Sequence, residues 1–170
     1  IAETGGVNAM IVDSTALPEQ VVTDVVTSAF RSAGQRCSAL RLLLLQEDIE
    51  ERIVEMLKGA MDALVVGDPA DPRTDIGPVI DEAARDKLEA YRQTMKARCI
   101  HELKAPEDAG LWSTPTLIRI EAMEDLQQEW FGPILHIATW KAGQLDDTVR
   151  RINNSGFGLT MGLHSRIAGT

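Results

Sequence analysis

Two hydrophobic rhythms alternate along the chain. Residues 7–12 (Val-Asn-Ala-Met-Ile-Val) and 40–45 (Leu-Arg-Leu-Leu-Leu-Leu) are short runs in which nearly every position is apolar, the pattern of strands buried on both faces. Between them Val21, Val22, Val25, Val26, Ala29 and Phe30 recur at helical spacing, so that one face is apolar. Pro18 suits the first turn of that helix, and Gly34 is its expected end. The rhythm then repeats. Asp48 is a candidate N-cap for a helix whose inner face is Ile49, Ile53, Met56, Leu57, Ala60 and Leu64.

A turn-rich stretch, residues 67–73, leads to Ile76-Gly77-Pro78-Val79, and a further helix is predicted from Asp81 to about Ala97 with Ala84, Leu88, Tyr91 and Met95 inward. Strands are expected near 99–103, 116–120 and 134–140, a last helix over 145–152 and a last strand over 159–164. Strands alternating with helices of these lengths predict an α/β fold with a largely parallel, helix-covered sheet. No internal repeat or low-complexity linker interrupts it, so residues 1–170 are expected to form one domain, or most of one. Ile1 and Thr170 read as cuts inside a longer protein.

Composition narrows the partners. The 170 residues are 44% hydrophobic with a formal charge of -9, enough for a real core. The acidic balance, with Lys and Arg scattered, argues against nucleic acid, which needs clustered basic residues. No apolar stretch approaches the roughly 20 residues that span a bilayer, and no secretion signal is read. Cys37 and Cys99 form no disulfide framework and suit reduced thiols in the cytoplasm. His101, His136 and His164 are isolated, so no metal site is expected.

Three places carry candidate chemistry. Cys37 sits in a helix-to-strand connection beside Arg36, with Arg31 and Arg41 near in sequence, and positive charge raises the thiolate fraction of a cysteine. A small buried hydrophobe is the alternative for this residue. Glu3 precedes Gly5-Gly6, a pair that lets backbone approach a ligand, and its carboxylate is either a general base or an exposed terminal acid. Glu129-Trp130-Phe131-Gly132-Pro133 places an acid and two aromatics before a strand, suited to ribose hydroxyls and a flat ring, or else simply a surface turn.

Taken together, these runs resemble the aldehyde dehydrogenase superfamily. Glu3-Thr4-Gly5-Gly6 is similar to its Glu-x-Gly-Gly pattern, Gly34-Gln35-Arg36-Cys37 to its Gly-Gln-x-Cys signature, and residues 129–133 to its Glu-x-Phe-Gly-Pro motif, all in the family's order. Residues 154–163, with Phe157-Gly158-Leu159-Thr160, resemble its Asn-x-x-x-Tyr-Gly-Leu segment. The finer resemblance is to the glutamate semialdehyde dehydrogenase module of bifunctional proline utilization enzymes. It rests on Ala2-Glu3-Thr4-Gly5-Gly6, on residues 30–41, on Asp75-Ile76-Gly77-Pro78-Val79-Ile80 and on Gly162-Leu163-His164-Ser165-Arg166.

The resemblance implies a three-layer helix-sheet-helix catalytic domain, lacking the dinucleotide-binding domain and oligomerisation strands. It implies Cys37 as the nucleophile that forms a thioester and Glu3 as the base that activates water. Glu129 and Phe131 would contact NAD, and Arg36 and Ser38 would contact the substrate carboxylate, unless they only support the loop. The implied reaction oxidises glutamate γ-semialdehyde, the open form of Δ1-pyrroline-5-carboxylate, to glutamate. The implied parent is a homo-oligomer, with FAD if it carries a proline dehydrogenase module, and the isolated segment is expected to be inactive. Trp130 departs from the family, which has Val or Ile there. Three alternatives stay open at this point: a dehydrogenase for another semialdehyde such as succinate semialdehyde, a silent structural or interaction module, and a thiol esterase.

Overall fold

The computed structural model describes residues 5–169. Among the described residues, six strands form one sheet: β1 (Asn8–Val12), β2 (Leu40–Gln46), β3 (Cys99–Glu102), β4 (Thr116–Arg119), β5 (Ile134–Trp140) and β6 (Met161–His164). Their order is β3-β4-β5-β2-β1-β6, with only the β3–β4 pair antiparallel. The central strands β1, β2 and β5 are buried almost throughout, which is why they read as continuous apolar runs rather than alternating ones.

Among the described residues, four α-helices cover the sheet: α1 (Pro18–Phe30), α2 (Glu50–Asp62), α3 (Glu82–Thr94) and α4 (Leu145–Asn154). This is the layered α/β architecture that the sequence predicts. Pro18 opens α1 with its fixed φ, and the helix buries Val21, Val22, Val25, Ala29 and Phe30. Helix α3 starts on a true cap, the Asp81 carboxylate accepting the Ala84 N–H at 2.7 Å. Helix α2 does not use Asp48. Its N-cap position is Ile49, which contributes no side-chain bond, and Asp48 stays in the preceding turn. Helix α3 ends at Thr94, before the predicted limit, because residues 96–98 tighten into a 3₁₀ turn that leads into β3.

Topology decides where chemistry can gather. Strands β5, β2 and β1 are consecutive neighbours, and each is entered from the same end because they run parallel. The residues just ahead of them are Gly132-Pro133, Cys37-Ser38-Ala39 and Gly5-Gly6-Val7. Three motifs far apart in sequence therefore meet at the amino-terminal edge of the sheet.

Candidate active site

The connection holding Cys37 is built from unusual backbone. After α1, Ser32, Ala33 and Gly34 all take positive φ, at 57°, 51° and 63°. Two of the three carry side chains that the left-handed region penalises by roughly 1–2 kcal/mol each. Such strain persists only where surrounding contacts fix it, and it concentrates at functional sites. Gly34 therefore does not close α1, which stops at Phe30; it closes the turn that follows. A Cβ at Gly34 would overlap the Gly132 carbonyl and lie 2.9 Å from the Ala29 oxygen, so the thiol loop packs directly on the third motif.

Several residues around Cys37 are tied down. The Gln35 side chain accepts the Ile80 N–H at 2.8 Å, linking the loop to residues 78–80. Arg36 turns its guanidinium onto the Thr27 and Ser28 carbonyls at 3.1 and 3.2 Å, the carboxyl end of α1, where a cation is favoured. That placement ties the residue before Cys37 to the end of α1. Asn8, buried in β1, donates through Nδ2 to the Cys37 and Ala39 carbonyls at 2.7 and 2.8 Å while its Oδ1 accepts the Thr160 N–H at 3.1 Å. Cys37 and Ser38 are themselves exposed. Cys99 is partly buried on β3, and burial together with the Glu102 charge pushes its thiol pKa up.

The third motif closes around Arg41. This arginine is 1% exposed. It donates to the Gly132 carbonyl at 2.9 Å, to the Arg36 carbonyl at 3.1 Å and to Glu129 Oε1 at 3.1 Å. Glu129 Oε2 accepts the Gly6 N–H at 3.1 Å, and a Cβ on Gly5 would sit 2.6 Å from that oxygen. The Gly-Gly pair thus lets backbone approach Glu129. Burial lowers the Arg41 pKa and Glu129 opposes the shift; an arginine stays charged regardless. The Phe131 ring is half exposed, with the Arg41 guanidinium carbon 5.4 Å from its centroid.

Trp130 has a role of its own. Its ring stacks on Tyr91 of α3 at 3.6 Å and 11°. The Tyr91 hydroxyl meets His136 Nε2 at 2.8 Å, and His136 Nδ1 meets the Arg41 carbonyl at 3.1 Å. A carbonyl only accepts, so Nδ1 carries the proton and the Tyr91 O–H donates to Nε2. Burial pushes the His136 pKa down to about 4 and that of Tyr91 up to about 12. An unfolded histidine protonates near 6.5 while His136 in the fold resists until about 4, so stability is full above 6.5 and falls as pH drops through that window. The loss is on the order of 3 kcal/mol at its limit. Protection factors of the β5 amides in the intact protein, which divide out the acid-slowed intrinsic exchange, should fall between pH 6.5 and 4, and His136→Gln should flatten that dependence; an unchanged slope would exclude His136 as its source.

Sequence reasoning brought together Cys37, Glu129 and Phe131, and the structure places them at one edge of the sheet. Glu3 lies outside the described residues. Asn8, Gln35, Tyr91 and His136 were missed as site residues, and Arg41 was noted only as a positive charge near Cys37. The available signal was a polar or charged residue inside an otherwise apolar strand, as at Asn8, Arg41 and His136. Among the described residues no cluster of three or more His, Cys, Asp or Glu is placed to hold a metal, and no helix is long and apolar enough to cross a membrane.

An exposed cysteine on a strained loop, packed against a Glu-x-Phe-Gly-Pro turn, matches one class of protein. Residues 1–169 fit the aldehyde dehydrogenase family, and the chain belongs to it. Within the family it is 52% identical, over 98% of its length, to the bifunctional protein PutA of Salmonella typhimurium, of which it spans 13%. It is 34% identical over 98% of its length to a 1-pyrroline-5-carboxylate dehydrogenase of Geobacillus sp. (strain WCH70), spanning 33% of that enzyme. A crystal structure of a Bradyrhizobium japonicum proline utilization A (PutA) mutant superposes with a TM-score of 0.94 at 52% identity, covering 99% of this chain and 17% of that one.

Proposed function

We propose that residues 1–170 are the catalytic domain of a longer, NAD-dependent dehydrogenase that oxidises glutamate γ-semialdehyde to glutamate in proline catabolism. The observation that carries this reading is the exposed Cys37 at the head of β2, within one hydrogen-bonded framework with Glu129. The relatives named proline utilization A and 1-pyrroline-5-carboxylate dehydrogenase support the substrate. A reduced thiol as nucleophile fits a cytoplasmic setting. A homo-oligomeric parent, with FAD on a proline dehydrogenase module, belongs to the same proposal.

The residues fit the cofactor. Each Glu129 oxygen accepts one described donor, which leaves acceptor sites for the two hydroxyls of a ribose. The half-exposed Phe131 ring offers a flat apolar surface to a nicotinamide. Bound NAD+ supplies the hydride acceptor. Everything else falls to the chain. Cys37, as thiolate, adds to the aldehyde carbon and forms the C–S bond of a thiohemiacetal. Its backbone N–H faces the charge that develops on oxygen. Loss of hydride from that carbon leaves a thioester on Cys37. Glu3 takes a proton from water, which adds to the thioester, and the C–S bond breaks to give glutamate and the restored thiol. Arg36 and Ser38 flank the nucleophile; the Arg36 contacts with α1 favour loop support for that residue over direct substrate binding.

The test is competitive kinetics on the full-length protein. Glutamate γ-semialdehyde is expected to give the higher kcat/KM, and equal or better turnover of succinate semialdehyde would reassign the substrate. The 170 residues alone are expected to make no NADH, since the dinucleotide-binding domain is not among them; NADH from the purified segment would overturn that half.

A further inference from the structure

We propose that Arg41 is a positioning residue that presets both halves of the site, aligning the Cys37 backbone amide and the Glu129 carboxylate through one buried guanidinium; this rests on the dehydrogenase reading above.

Arg41 lies buried in β2. It interrupts a strand that is otherwise leucine from residue 40 to 45, and burying a cation there carries a desolvation penalty that a leucine would avoid. Packing alone does not call for it. The guanidinium instead spreads its donors over three acceptors in two segments: Arg36 O in the thiol loop, and Gly132 O and Glu129 Oε1 in the 129–133 turn. A planar fork with five N–H groups can do this, whereas a lysine ammonium, a point charge, lacks the matching geometry.

Two consequences reach the chemistry. The Arg36 carbonyl and the Cys37 N–H belong to one planar peptide unit, and they point in opposite directions. Fixing the carbonyl on Arg41 therefore fixes the direction of the Cys37 N–H, and a cation on the oxygen polarises that N–H further. This is the amide assigned above to the developing oxyanion. The second consequence concerns Glu129. With Oε1 on Arg41 and Oε2 on the Gly6 amide, both oxygens are held, and the remaining lone pairs keep one direction. Further anchoring comes from behind, where the Arg41 carbonyl accepts from His136. The same side chain thus serves nucleophilic addition and cofactor binding by separate hydrogen bonds.

These two roles separate experimentally in the full-length protein. The variants are Arg41→Met, Arg41→Lys, Glu129→Gln and Arg41→Met combined with Glu129→Gln, each first shown folded by its melting transition. Hydrolysis of p-nitrophenyl acetate without cofactor reads Cys37 and its amide; calorimetric titration with NAD+ reads the carboxylate. Arg41→Met is expected to lower the ester kcat about tenfold or more, with KM within about twofold, the range in which removal or misalignment of an oxyanion donor acts. It is also expected to raise the NAD+ Kd about tenfold when Glu129 is present, but less than about twofold in the Glu129→Gln background, because the pair has then already been lost. Arg41→Lys should restore neither quantity. Full recovery by Arg41→Lys would reduce the role to buried charge and overturn the proposal, as would equal Kd increments in both backgrounds. If Arg41→Met does not fold, Arg41→Lys decides on the same two readouts. Absence of NAD+ binding by the unaltered protein would instead sink the dehydrogenase reading, and the ester arm would still decide the alignment of Cys37.

Discussion

Gly34→Ala is expected to destroy the site while leaving most of the fold in place. Two effects add. The new methyl would occupy a residue at φ 63°, which disfavours any side chain by roughly 1–2 kcal/mol. It would also overlap the Gly132 carbonyl and press on the Ala29 oxygen at 2.9 Å, and backbone atoms of this kind cannot rotate away. Overpacking against rigid neighbours adds about 1–3 kcal/mol. The cheapest relief is for the thiol loop to lift off the 129–133 turn, which would break the Arg41 bonds to Gly132 and Arg36. A displacement near 1 Å is enough to lower turnover about a hundredfold. Kinetics of the full-length variant should show that loss, and limited proteolysis should cut first near residues 31–38. Ser32→Gly is the control. Ser32 is exposed at φ 57°, so glycine relieves strain without a clash, and stability should be unchanged or slightly raised. Equal damage from both substitutions would show that the turn tolerates no change at all, rather than that Gly34 makes the critical contact.

Much of this molecule was legible from periodicity, and the limits of that legibility have physical causes. The strands at 7–12, 40–45 and 134–140 announced themselves because both faces are buried, which leaves no polar alternation to confuse them. Helix ends were less readable. Asp48 is the right residue type for a cap, yet the 47–49 turn is held by bonds from the Glu47 amide to Trp140 and from the Ile49 amide to Gln46, which start the helix later. The site divides in the same way. Cys37, Glu129 and Phe131 stood out through local motifs. Arg41 did not, because its meaning lies in partners 91 and 88 residues away. Trp130 looked like a departure from pattern; the structure gives it Tyr91 as a partner and, through His136, ties that partner to the strand bearing Arg41. Strand order alone turns these distant residues into neighbours, and hydropathy does not encode it.

Cys37→Ala is expected to abolish aldehyde oxidation, by about 10⁴-fold or more, while Cys99→Ala stays within about twofold of the unaltered protein. The contrast is useful because the two thiols differ in every respect the mechanism needs. Cys37 is exposed, stands ahead of β2 and shares a peptide plane with a carbonyl held by Arg41. Cys99 lies on β3, three strands from β2, so roughly 14 Å separates the two strands. Its Sγ meets the His101 carbonyl at 3.6 Å, and burial with the Glu102 charge raises its pKa, so it holds little thiolate near neutrality. Iodoacetamide at pH 7 should therefore modify Cys37 first in the folded full-length protein, with peptide mapping as the readout. Folding does not confound the loss of activity. Truncating an exposed side chain shifts stability by less than about 0.5 kcal/mol, so the melting transition of Cys37→Ala should match that of the unaltered protein. Turnover that survives in Cys37→Ala but disappears in Cys99→Ala would move the nucleophile to the far edge of the sheet. In that case the strained loop, its buried arginine and the Glu129 pair would be scaffold, and the reaction would have to be built again around β3.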